Sequence, residues 1–515
     1  MVVIYHLNNK VHEIVVEGNQ HLDFNKHLSL SRTLHVLANQ FPDEKIVWCH
    51  VSCKPTLNLK FLESRFHHNR LMLSFGAGEH LFLNEQIGYV DMSSFIKVNK
   101  NVSYPTWQMS STVGAIHASV LLLVKDQIPQ DSNFDYYLNS LAKLAIPLGL
   151  FCYSEPNLIL EHNSSVAPKS QMLTLFKFVK QHYKTRWLYL LVLNGILYER
   201  KFWLLPFLYA LCFVKNRYLS VDFNSIDIKS SEKVTDKTTV DVIIPTIGRK
   251  AYLYNVLCDL RGQTLLPENV IIVEQNPLKG SVSDLDYLKT ESWPFNIKHH
   301  FLHKTGACNA RNKALKEVIS EFAFFADDDV RLQSNALYES TSYMICHGIE
   351  AITLSCKAEN EIEKIKIPIQ WSAFGSGCSI VKTSALGNIT FNLGYEHGFG
   401  EDSDFGAQLR NKGTDIIYYP EISLKHLKAP IGGFRTKPML PWKEDMIQPK
   451  PSPTVMLFQL LHKTKEQRLG YKTVLFLKYY KNQSIRNPFT YFKVFKKQWQ
   501  QSLKYAHHLK SIKSP

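Results

Sequence analysis

The sequence predicts an α/β protein built on a mostly parallel, doubly wound sheet, and three observations carry that expectation. Short β-branched apolar runs alternate with helical patterns through the second half of the chain, as parallel neighbours joined by crossover helices require. Acidic and basic residues gather just after those runs, where ligands of such sheets sit. The chain has 515 residues, 45% of them hydrophobic and 20% charged, which is globular composition and enough length for several domains.

The start, MVVIYHLNNKVHEIVV, has no basic segment leading into a long apolar stretch, so no secretory leader is expected. Residues 1–165 read as an α/β domain. Its Cys49 and Cys53 have no His/Cys companions at zinc-finger spacing and are expected to be buried thiols. Nine scattered cysteines without a disulfide framework suit a reducing, cytoplasmic compartment. Residues 166–239 read as a helical linker. It contains two apolar runs, Trp187–Tyr198 and Phe202–Val214, broken by Glu199-Arg200-Lys201. Each run is shorter than the ~20 residues of a spanning helix, so a buried or interfacial helical hairpin is expected. The polar stretch Ser220–Thr239 closes the segment as a boundary loop.

Residues 240–436 form the domain that carries the chemistry. VDVIIPT (Val240–Thr246), Asn269–Glu274, Asn296–Leu302 and FAFFA (Phe322–Ala326) are expected strands; Arg249–Gly262 and Ala307–Ser320 are expected helices. Residues 437–515 are basic and helical in pattern. Lysines interleave with aromatics there, as on a helix docking on anionic lipid or on one packed against its own domain with lysines in water.

A weak internal repeat joins the two halves. Gly149, Pro156 and His162 share the spacing of Gly413, Pro420 and His426, and Tyr104–Gly114 loosely echoes Ile367–Gly377. Residues 1–165 are therefore expected to hold a degenerate copy of the second half of the later domain. In that copy Cys49-His50-Val51 follows a strand where acidic residues would stand, which makes it non-catalytic.

Asp327, Asp328 and Asp329 end an apolar strand. Three adjacent carboxylates repel one another, and either an exposed loop or a cation such as Mg²⁺ or Mn²⁺ makes such a cluster tolerable. Glu401-Asp402 opens an amphipathic helix after a glycine-rich turn. A carboxylate there is held ionised by the helix dipole and suits a general base, or simply caps the helix. Arg311 lies in the first turn of a helix whose free N–H groups, with the guanidinium, make an anion site. LKHLKAPIGGFR contributes His426, a structural histidine or a metal ligand, with Lys428 and Arg435 as cations for a departing diphosphate. The net charge of +15 favours an anionic partner. No nucleic-acid-binding signature accompanies it, so none is expected.

Together these segments resemble a family 2 glycosyltransferase with the GT-A fold, over about 200 residues from Val240 to Arg435. VDVIIPTIGR resembles the opening strand that lines the nucleobase pocket, here with Pro245, Thr246 and Arg249. NVIIVEQN resembles the second strand, which in the family usually ends in aspartate; Glu274-Gln275 stand there, with Glu274 the candidate contact. GACNARNKAL resembles the family's ARN segment, making Arg311 a nucleotide contact. FFADDDV resembles the DxD motif, with Asp327 facing the ribose and Asp329 the metal; Asp327, Asp329 and His426 are the candidate metal ligands. GFGEDSDFGAQLRNKG resembles the ED motif, with Asp402 the base and Glu401 beside the acceptor. Trp371 and Gly375-Ser376-Gly377 fall where the family places its acceptor-side loop. The resemblance implies inverting transfer from a nucleotide-diphosphate sugar to a saccharide or lipid-linked saccharide, with Mn²⁺ or Mg²⁺ and an anionic membrane surface as candidate partners. By family habit the resemblance also implies a role in bacterial surface polysaccharide synthesis. A sugar-nucleotide pyrophosphorylase would need a more glycine-rich loop than PTIGRKA, and an inactive binding protein would not need the acidic motifs intact.

Overall fold

Val2–Leu7 (β1) and Lys10–Val16 (β2) are joined by Asn8-Asn9, both with positive φ. This is the two-residue turn that matches the twist of antiparallel strands, and it sets the character of the first sheet. The structure is a computed structural model, and it describes all residues except 17–19, 77–81, 130, 132, 162–170, 217, 229, 233, 236, 431–439 and 513–515. The chain divides into two units, Met1–Ser231 with Lys463–Tyr479, and Glu232–His462 with Tyr480–Pro515.

The sheet of the first unit adds Gln20–His21 (β3), Lys45–His50 (β4), Leu71–Phe75 (β5), Tyr104–Pro105 (β6), Val113–His117 (β7) and Phe151–Ser154 (β8), in the order β3-β2-β1-β4-β7-β5-β8-β6. Cys49 and Cys53 are buried within this unit. Gln467, from the late segment that clusters here, donates to the carbonyls of Asp91 and Ser93, both at 2.9 Å.

The second unit opens on Val240–Thr246 (β9), whose Val240, Val242, Ile243 and Ile244 are buried, as expected of a parallel strand covered on both faces. The helix Lys250–Arg261 buries Leu253, Val256, Leu257 and Leu260 at helical spacing and crosses to Asn269–Gln275 (β10). Asn296–Leu302 (β11) follows, then the helix Ala307–Leu315 and Phe322–Ala326 (β12). That helix stops five residues short of the expected Ser320. Val330–Arg331 (β13), Ala351–Lys357 (β14), Ile369–Gln370 (β15), Cys378–Lys382 (β16), the helix Glu401–Asn411 and Ile417–His426 (β17) complete the domain. The order is β11-β10-β9-β12-β16-β14-β17-β13, with β15 on β17. This is the α/β GT-A arrangement, in which β9 to β12 run parallel and β16 is antiparallel.

The two sheets repeat one strand-pairing pattern. β1, β4, β7, β5 and β8 pair in the same senses as β9, β12, β16, β14 and β17, and β6 pairs with β8 as β15 pairs with β17. Register extends the match to single residues. The His50 N–H donates to Thr112 O at 2.7 Å as Asp327 N–H donates to Gly377 O at 3.3 Å; Thr106 N–H donates to Cys152 O as Trp371 N–H does to Ile416 O. The Gly149–Pro156 repeat therefore lies in register with Gly413–Pro420. The upstream echo is displaced by two residues, because Tyr104 stands opposite Ser154 as Ile369 stands opposite Tyr418. The sheets differ at β2. A hairpin replaces the strand–helix–strand crossover that carries β9 to β10.

Near the C-terminus, the helix Pro488–Lys510 buries Tyr491, Phe495, Trp499, Ala506 and Leu509 against the helix Pro453–His462. Its lysines face water, so it packs on its own unit. Among the described residues no helix is long and apolar enough to cross a membrane.

Candidate active site

The ends of β9, β12 and β17 and the first turns of two helices surround one cavity of about 360 Å³. Pro245, Thr246, Arg249, Arg311, Asp327, Asp328, Asp329, Gly377, Glu401, Asp402 and His426 line it. The triplet and the Glu401-Asp402 pair, 73 residues apart from Asp329 to Asp402 in sequence, thus share a pocket.

Each aspartate of the triplet has a different environment. Asp327 is 36% exposed and accepts a 2.9 Å hydrogen bond from Arg311 Nη2. A methyl group on Gly377 would come within 2.2 Å of its Oδ2, so glycine is what lets the carboxylate lie there. Asp328 is buried and turned inward, accepting from Thr246 Oγ1 at 2.7 Å and Arg249 Nη1 at 2.5 Å. Burial pushes it up to about 6 despite those bonds. Asp329 is buried too, but the His426 ring at 3.4 Å, the Ala429 N–H at 2.9 Å and Arg249 outweigh the burial and hold it below the ordinary aspartate range. His426 is raised in turn, chiefly by Asp329.

The second acidic pair is set by Gly400, whose φ of +116° ends the glycine-rich turn in a conformation that favours glycine. Glu401 is pushed up to about 7 by burial and by Asp402. Asp402 is also raised, first by burial, while Arg311 and the Ser376 hydroxyl hold it down. Desolvation is thus the larger effect on this carboxylate, and Arg311 and Ser376 act against it. Arg311 is buried and more firmly protonated than usual, with Asp327, Asp402 and Glu401 outweighing its desolvation. Its Nε finds no hydrogen-bond partner among the described residues.

The expected free N–H groups at the start of the Arg311 helix are taken. Glu396 accepts from the amides of Cys308 and Asn309 at 3.1 and 2.9 Å. Gly306, at φ +136°, leaves room for that carboxylate. The anion site expected at this helix end therefore reduces to Arg311. Gln275 holds the preceding loop, donating to the carbonyls of Lys304 and Gly306 and accepting from Gly306 N–H. Ser376, within the expected acceptor-side loop, lines the cavity, as do Gln275 and Glu396, which were not expected contacts and whose partners lie far off in the sequence.

Four expected residues lie away from the lining. Glu274 points to the other side of β10 and pairs with His299 at 2.9 Å, because alternate strand residues face opposite ways. Lys428 is half exposed and pairs with Glu361 at 2.8 Å. Trp371 packs on the Tyr418 ring. Gly375 sits over Cys378 Sγ, with Ser376 and Gly377 reaching the cavity instead. Arg435 lies outside the described residues.

Among the described residues no group of three His, Cys, Asp or Glu side chains stands close enough to hold a metal alone. Asp329 and His426 give an oxygen and a nitrogen donor side by side. The Asp329 oxygen suits Mg²⁺ or Mn²⁺, with the remaining positions left to phosphate oxygens and water, whereas the imidazole nitrogen is a poor ligand for Mg²⁺.

Residues 241–378 match the model of the family described as glycosyl transferase family 2. Over that span the chain is similar to family 2 glycosyltransferases. The matched span includes the Asp triplet and ends at Cys378, before Glu401-Asp402. No curated protein matches the chain. Solved structures overlap with it in part. Staphylococcus aureus TarS is 19% identical, with 37% of each chain covered and a TM-score of 0.32. TarS 1–349 in complex with UDP-GlcNAc is 19% identical over 53% of this chain and 81% of that one, TM-score 0.37. The mannosyltransferase PcManGT from Pyrobaculum calidifontis, in complex with GDP-Man and Mn²⁺, is 13% identical over 55% and 87%, TM-score 0.32. The chain thus spans little more than a third of the length of full TarS.

Proposed function

We propose that the glycosyltransferase domain moves a sugar from a nucleotide-diphosphate donor to an acceptor hydroxyl with inversion. The observation that carries this reading is the single cavity lined by both Asp329 and Asp402. Asp402, its pKa raised by burial, would take the acceptor proton as that oxygen attacks the anomeric carbon. A base whose pKa is lifted toward the working pH transfers protons more effectively. Pro245, Thr246 and Arg249 would border the nucleoside, with Asp327 on the ribose. Gly377 and Glu401 would face the acceptor. Arg311 would meet the diphosphate, where a fixed buried cation stabilises charge that develops as the bond breaks. Asp329 and His426, with Asp327 near them, would hold Mn²⁺ or Mg²⁺. Such an ion supplies positive charge to the leaving diphosphate.

The first unit is read as a degenerate, non-catalytic copy, spanning residues 1–165 and tied to the catalytic domain, 240–436, through the helical segment 166–239. The reading is supported by the shared strand core and by His50 standing at the register position of Asp327. Residues 437–515 serve as a helical C-terminal region. The acceptor is a saccharide or lipid-linked saccharide in bacterial surface polysaccharide synthesis. That acceptor would bring the enzyme to the cytoplasmic face of the cell membrane.

A thermal-shift screen of nucleotide sugars with and without Mn²⁺ tests the reading, since a ligand of the native state raises the melting midpoint by mass action. One donor class should raise it in the presence of the metal and should release nucleoside diphosphate on incubation. If no nucleotide sugar shifts the midpoint and none is consumed, the proposal fails.

A further inference from the structure

The apolar runs at 187–214 form a hairpin, and its inner and outer sides differ sharply. The helices Arg186–Asn194 and Leu204–Leu211 are joined through Gly195–Glu199 and Arg200, whose φ is +55°. The inner side is locked. Leu188, Leu191, Trp203 and Ala210 belong to the core of the first unit. A methyl group on Gly195 would come within 2.6 Å of the Trp203 ring, so the close approach of the two arms depends on that glycine.

The outer side is apolar and open. Val214 is 82% exposed, Leu205 77%, Phe202 65%, Leu197 54%, Leu208 49% and Leu204 45%. Large apolar side chains left together in water are uncommon on a soluble surface and mark an interaction site. Exposed cations flank them: Lys184, Arg186, Arg200, Lys201 and Lys215. From Lys184 to Ser220 the one acidic residue is Glu199, and it is turned inward to accept from Gln86 and Tyr89 at 3.1 Å each. The outward face therefore combines an apolar centre with positive charge alone.

We propose that this hairpin seats the protein on the surface of an anionic phospholipid bilayer. The chemistry fits on three counts. Apolar side chains enter the acyl boundary while Lys and Arg meet the headgroups. The eight-residue helix Leu204–Leu211 is about 12 Å long, which suits entry into one leaflet and is far too short to cross. Three of the five flanking cations are lysines, which are depleted in protein interfaces. The inference does not depend on which reaction the second unit performs.

Flotation of the full-length protein tests it, with vesicles of phosphatidylcholine alone and of phosphatidylcholine with phosphatidylglycerol. The wild type floats with the anionic vesicles, less so at high salt, and poorly with the neutral ones. The double variant Leu205→Glu/Leu208→Glu changes side chains that are 77% and 49% exposed, so its melting midpoint stays near wild type while its bound fraction falls about tenfold or more. Arg200→Glu/Lys201→Glu, a second variant that leaves the apolar residues intact, also loses binding. Asp402→Asn floats as wild type. Flotation unchanged in both double variants, no flotation of the wild type, or equal flotation with neutral vesicles overturns the proposal. So does sedimentation velocity showing a wild-type dimer that Leu205→Glu/Leu208→Glu converts to monomer, which would make the face a protein interface.

Discussion

Removing the Ser376 hydroxyl probes the proposed base without touching its carboxylate. In Ser376→Ala, Asp402 keeps its helix and Arg311 but loses the hydroxyl that donates to Oδ1. A hydrogen bond to a charged group contributes about 1.5–3 kcal/mol, and one pKa unit corresponds to about 1.4 kcal/mol. That bond favours the ionised form, so its loss raises an already raised Asp402 by about one to two units. A general base works deprotonated, so kcat/KM falls as pH drops through its pKa. The acid limb of the profile should therefore move upward by about one to two units in the variant. Well above that limb the two enzymes should run at similar rates, and near the wild-type limb the variant should be about tenfold slower. The assay is nucleoside diphosphate release across pH, using the donor that the thermal-shift screen selects. A uniform loss at every pH, with the limb unmoved, would mean that Ser376 shapes the loop and does not tune Asp402.

Three further outcomes follow from the same geometry. Gly377→Ala should fold, because the clashing atom is the movable end of Asp327, yet it forces that carboxylate off Arg311 and should weaken donor binding about tenfold or more in calorimetry. Arg249→Met leaves Asp328 buried without its cation; the cost is about 3 kcal/mol in urea unfolding, smaller if Asp328 takes up a proton. Glu401, at about 7 in the native protein, is raised above its unfolded value, so its contribution to stability is greatest in acid and is lost as pH rises from the ordinary glutamate range through neutrality. Glu401→Gln should flatten that slope, read as the difference between urea midpoints at about pH 5 and about pH 8; an unchanged slope would contradict the assignment.

The parts of the fold carried by local pattern were legible in the sequence. The apolar runs at Val240, Asn269, Asn296 and Phe322 are strands within a residue of where their composition places them, and the Gly–Pro spacing located a shared strand in true register. The triplet was legible for the same reason, since three carboxylates after an apolar strand are costly without a partner. What was not legible depends on contacts far apart in the chain. Glu396 caps a helix 88 residues earlier, and nothing around Gly306 names its partner. Glu274 and Gln275 are neighbours on one strand, and only the sheet's register decides which of them faces the cavity. Ser376 sits 26 residues before the carboxylate it serves. The hairpin at 187–214 could be read as buried or interfacial from its hydropathy; its outward face became visible only once the inward residues were known.

The central claim is a division of labour within one cavity, with Asp329 on the donor's side and Asp402 on the acceptor's. Titration calorimetry of Asp402→Asn and Asp329→Ala with the selected nucleotide sugar and Mn²⁺, beside a turnover assay, tests it most directly. Asp402→Asn should bind the donor as wild type does and transfer nothing measurable, while Asp329→Ala should lose its metal-dependent binding. Equal loss of binding in both variants, or turnover that survives in Asp402→Asn, would contradict the account.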